Sequence, residues 1–188
     1  MEISANQRKA AQEIVELIAL SLGDNRSIHP GTAITSCARL AGSFMFRSFN
    51  FQVDQLKPGS AVLSDEANKK GPMLVNVFQW MLHNFGVELD SEKLNEKPAE
   101  SHHGFIETLN LLQDKARLIM NANNLNFELM AYACSMATGF LVKECRMDLP
   151  AEVGFGTAIY GFIEGSKTFP PPFSETSQKK KSIFTFWK

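Results

Sequence analysis

The chain has 188 residues, 44% of them apolar and 21% charged, which suits one domain with a sizeable core and excludes a disordered polymer. Its formal net charge is −1, so the molecule as a whole has no long-range attraction for nucleic acid or an anionic membrane. Three cysteines, Cys37, Cys134 and Cys145, are odd in number and far apart, which argues against a disulfide framework and for reduced thiols in a cytoplasmic protein.

The opening Met1-Glu2-Ile3-Ser4 has no basic region followed by an apolar run, so no secretory signal is expected. Ser4 and Gln7 have the spacing of a capping box, and Ala11, Ile14, Ile18 and Leu22 recur at helical intervals up to Gly23. A second helix is predicted from Pro30 to about Phe49, since proline is tolerated in a first helical turn. Residues 49–63 alternate Phe49, Phe51 and Val53 with polar side chains before a Lys57-Pro58-Gly59-Ser60 turn, a pattern that suggests a small β-hairpin and that a loop folded over the core would also give.

A third helix is predicted to start at Pro72 and end at Gly86, with Leu74, Val75, Phe78, Met81, Leu82 and Phe85 on one face. The preceding Asp65-Glu66 and Lys69-Lys70 read as a charged turn. Residues 90–100 form a polar connection, and a fourth helix follows Ser101 and fades in the asparagine cluster at 121–124. The fifth, over 126–146, is apolar nearly all round, which marks it as the central element. Its apolar stretch from Leu129 to Val142 is fourteen residues long, too short for a membrane span, which needs roughly 18 or more. Pro150 opens a sixth helix that reaches about Ser166. The expected architecture is an all-α, irregular bundle of about six helices over residues 1–166, followed by a tail over 167–188.

Catalytic signatures are missing from this pattern. There is no Gly-x-Ser-x-Gly, and Gly154-Phe155-Gly156 lacks the strand and the third glycine of a dinucleotide site. His103 and Glu107, four apart, make two potential metal ligands, and two do not make a site. No cofactor or metal is therefore indicated, and a non-catalytic binding protein is the leading expectation.

Two regions carry the candidate binding residues. In the second helix Gly31, Thr35, Ala38 and Gly42 line one stripe, and in the sixth Gly154, Ala158, Gly161 and Gly165 repeat the spacing. Small residues in register let two helix backbones approach closely; alternatively they floor an apolar pocket between the second, fifth and sixth helices. In that alternative a small molecule lies on Gly42 and Gly161, and Cys37, Arg39 and His29 supply its polar contacts. Arg39 and Arg47 otherwise belong to a charged solvent face, Cys37 to the core, and His29 to a helix cap.

The second region is the tail. From Lys167 onward five lysines and one glutamate give a net charge of +4, which leaves −5 for the rest. Phe169-Pro170-Pro171-Pro172-Phe173 favours an extended conformation, and Lys180, Phe184 and Trp187 belong to a basic, aromatic end. Phe169, Phe173, Lys180, Phe184 and Trp187 are thus candidate contacts for a protein partner, with weak attachment to a membrane surface as a lesser role. The acidic body argues against nucleic acid as a partner. Deleting the residues beyond Lys167 is expected to weaken partner capture and leave the fold intact. Fifteen phenylalanines and eight methionines are residue types enriched at subunit interfaces and suggest a homo-oligomer.

Overall fold

Ser4 starts the first helix as the sequence requires. Its hydroxyl accepts from the Gln7 backbone at 3.2 Å while the Gln7 side chain accepts from the Ser4 backbone at 3.0 Å, so α1 runs Ala5–Leu22 from a closed capping box. The computed structural model describes residues 3–23, 28–51, 56–94 and 96–174. Within them lie α1, α2 (Pro30–Ser48), α3 (Asp65–Asn84), α4 (Phe105–Ala122), α5 (Phe127–Glu144) and α6 (Ala151–Ser166), with short 3-10 turns at Ser91–Lys93 and Cys145–Met147. The bundle is all-helical, and no strand occurs among the described residues. No single described helix is long and apolar enough to cross a membrane.

Two helices make the centre. Met130 to Gly139 of α5 are buried without a break, as its all-round apolarity predicts. The second central element is α2, buried from Gly31 to Phe46 and packed on α6, α5, α4 and α1. The solvent face expected for Arg39 and Arg47 is therefore corrected. Arg39 is 6% exposed and joins three elements. Its Nε lies 2.5 Å from Glu164 Oε2 on α6, and its Nη1 donates to the His103 carbonyl and to Thr108 Oγ1 ahead of and within α4. Such a charge is tolerated inside because Glu164 pairs with it and Nε and Nη1 both have acceptors.

The third helix begins about two turns before Pro72. Ser64 accepts from the Ala67 backbone at 3.1 Å, and Asp65 and Glu66 stand in the first turn, where carboxylates complement the positive helix end. Pro72 thus lies inside α3 rather than at its start.

The expected hairpin is also corrected, as far as its residues are described. Positions 52–55 lie outside the described residues. Phe49 ends α2 and packs with Phe51 around Phe46, so the alternation of phenylalanines serves an aromatic cluster. The second half of the segment pairs instead with the chain after α6: Gly59 donates to the Phe169 carbonyl, Phe169 to Ser60 and Val62 to Lys167, around one antiparallel bridge between Ala61 and Thr168.

Candidate binding groove

Helices α1 and α3 both pack on α5 and have little contact with each other. A trough is left between them, with α5 as its floor. On α1 it is lined by Arg8, Ala11, Gln12 and Val15, which share one face at i, i+3, i+4 and i+7. Trp80, Met81, Asn84 and Phe85 form the α3 wall, and Met136, Ala137 and Phe140 the floor. Its volume is 580 Å³ and it is open along one side. Gly139 sets the depth of the α3 wall: a Cβ there would lie 2.8 Å from Met81 Cβ. Phe85 and Phe140 meet edge to face at 6.0 Å, a favourable arrangement for two rings.

Trp80 is 44% exposed, unusual for so large an apolar side chain. Arg8 is the one charged residue lining the trough; its guanidinium donates to the Ile3 carbonyl at 2.9 Å, which holds it against the start of α1. The lining has no serine, cysteine, histidine or carboxylate, so it offers neither nucleophile nor acid–base pair. Its lining is predominantly apolar.

The structure separates the other candidates. Gly42 and Gly161 stand in the crossing of α2 with α6. A Cβ on Gly42 would be 2.7 Å from the Gly165 Cα, and one on Gly161 would be 2.7 Å from the Ala38 Cβ. Backbone fills the place where a ligand would rest, so the glycine stripes serve close helix packing. Cys37 points away from Arg39, into α5, where its thiol donates to the Cys134 carbonyl at 3.4 Å. Burial pushes the Cys37 thiol up to about 12, and pushes Cys134 up as well, so neither is a thiolate nucleophile. His29 caps α2 by accepting from the Thr32 backbone at 3.3 Å and stacks on His102 at 4.5 Å. Three residues proposed to share one pocket thus face three directions. His103 and Glu107 pair with each other at 2.9 Å, and no group of metal-ligand side chains occurs among the described residues.

The chain beyond α6 stays on the body as far as it is described. Phe169 packs on Phe46. Phe173 is held between two guanidinium groups, Arg47 at 3.9 Å and Arg117 at 4.6 Å from its ring centre, and lies parallel to Phe127 at 6.2 Å. Arg47 also donates to Gln113 and to the Pro171 carbonyl, both at 2.7 Å, and Gln113 donates to Pro172. Burial, reinforced by Arg117, pushes Arg47 down to about 10, with Asp114 acting in the opposite sense; it remains a cation at neutral pH. Phe169 and Phe173 are accordingly occupied within the chain, while Lys180, Phe184 and Trp187 lie outside the described residues.

Sequence reasoning passed over the groove residues. Trp80 lies off the apolar face of α3, and Phe140 is one apolar residue in a helix that has little else. The available signal was the combination: a large aromatic on a helix's polar side, opposite a helix with no polar side. Comparison with protein-family models, with curated proteins and with solved structures finds no match to this chain.

Proposed function

We propose that this chain is a non-catalytic interaction protein that takes the apolar side chains of a protein partner into the α1/α3/α5 groove. The single observation that carries this reading is the open, aromatic- and methionine-lined trough with Trp80 in its wall and no reactive group in its lining. Aromatic residues and methionine are the types enriched at protein interfaces. The backbones of the two walls are satisfied within their helices, so the trough offers side-chain contacts and no strand edge. Three free cysteines agree with a reducing compartment such as the cytoplasm. Met81, Phe85, Met136 and Phe140 contribute four of the groove's lining residues, and a second copy of the chain is a partner that the same proposal includes.

The test is a selection of displayed helical peptides against the protein, repeated with Trp80→Glu. The expected outcome is a set of peptides with apolar residues at i, i+3 or i+4, and i+7, binding the parent in the micromolar range and at least tenfold more weakly to the variant. Trp80 is half-exposed, so the variant should retain its helical circular dichroism. Selected peptides that bind parent and variant equally would overturn the assignment of the groove.

A further inference from the structure

Resting on that reading, we infer that the groove's partner is an amphipathic helix carrying a carboxylate beside its apolar stripe, and that Arg8 is the residue that selects it. The α1 wall from Arg8 to Val15 extends for about 10 Å, which equals two turns of an opposing helix and the reach of an i to i+7 set of anchors. Strand addition has nothing to pair with here, because both walls are helices. An acyl chain in a trough open along one side would keep much of its surface in water, whereas pockets for small apolar ligands enclose most of theirs.

Charge then narrows the partner. Arg8 carries the one full charge in the lining. Its contact is with a carbonyl, and among the described residues no carboxylate pairs with it. The first turn of α1 has no acidic residue, so the positive end of that helix adds to the same field. Lys143, which lies over the outer face of Phe140, is paired with Glu144, and Lys9 is near Glu13 on α1. Gln12 and Asn84 are the remaining polar lining residues and are neutral. Among the described residues, an incoming carboxylate meets one cation in the groove lining that no carboxylate pairs, and an incoming lysine meets repulsion. The resulting preference is for acidic over basic flanks.

The probes are two synthetic helical peptides with identical leucines at i, i+4 and i+7, one with Glu and the other with Lys one turn from the stripe. Trp187→Phe in the full chain leaves Trp80 as the sole tryptophan, so its fluorescence reports occupancy of the groove. The Glu peptide should bind about three- to fivefold more tightly at low salt, the range of a partly exposed ion pair, and the difference should shrink as salt is raised. Arg8→Glu should reverse the order. Equal binding of both peptides, with Trp80 responding, overturns the role of Arg8 and leaves the groove standing. No Trp80 response to either peptide overturns the groove and the inference together.

Discussion

At Gly165 the packing leaves no space for a single methyl group. A Cβ there would lie 2.5 Å from the Arg39 carbonyl oxygen and 2.9 Å from the Gly42 Cα, and both neighbours are backbone, which cannot turn aside. Gly165→Ala should therefore lower the unfolding free energy by about 1–3 kcal/mol, in spite of alanine's better helix propensity; an unchanged urea midpoint would show that the helices separate without cost. Glycine spacing in the sequence made this close approach legible, because four small residues at helical intervals point to another backbone. Arg39 was not legible in the same way. Its partner Glu164 is 125 positions away, and nothing in the local pattern distinguishes an arginine on a solvent face from one that is buried against a distant carboxylate.

Helices were easier to read than the segments between them. Apolar periodicity and the cap at Ser4 located α1, all-round apolarity located α5, and Pro150 marked the entry to α6. The start of α3 was missed because Pro72 looked like a first-turn proline, although Ser64 followed by two acids is itself an entry signal. The segment after α6 reads as a tail because three consecutive prolines prevent a helix, and the same prolines leave carbonyls that no helix consumes. Arg47 and Gln113 collect those of Pro171 and Pro172. This strap changes the expected effect of truncation. Removing residues 168–188 takes away the bridge at Ala61, the Phe169 contact with Phe46 and the Phe173 ring between two arginines, and should cost about 2–4 kcal/mol. Urea denaturation of the shortened chain checks this; a midpoint equal to the parent's would mean that the strap contributes nothing to the fold.

For the whole molecule, the buried thiols set a limit on the alkaline side. Cys37 has a folded pKa of about 12 against an ordinary 9.0, and burial raises Cys134 and Cys145 as well. Above pH 9 the unfolded chain loses thiol protons that the folded chain keeps, so the unfolded state binds fewer protons and stability falls as pH rises. Below that pH the two states bind the same number and the thiols have no effect. The unfolding free energy should thus be flat with respect to these groups near neutrality and decline from about pH 9 toward the folded Cys37 value of about 12, with a limiting slope of about 1.4 kcal/mol per pH unit for each fully protected thiol. Cys37→Ser with Cys134→Ser removes those thiols and should flatten the curve, whatever its effect on absolute stability. The composition anticipated core-filling cysteines; it could not anticipate the groove, which depends on α1 and α3 both packing on α5 with a gap left between them.

The contrast between the α2/α6 crossing and the α1/α3 pair has a mechanical consequence. Where backbone touches backbone, as between Gly42 and Gly165, the spacing is fixed by hard contact, and a fraction of an ångström of compression meets steep repulsion. Helices α1 and α3 are joined mainly through α5, with side chains such as Met136 and Phe140 between them, and methionine adapts its shape at little cost. The molecule therefore has one stiff seam and one compliant one. Under the proposed role, an occupant of slightly different girth would be taken up by the second while the first holds its register, in the manner of a vise whose fixed base allows its jaws to be set apart.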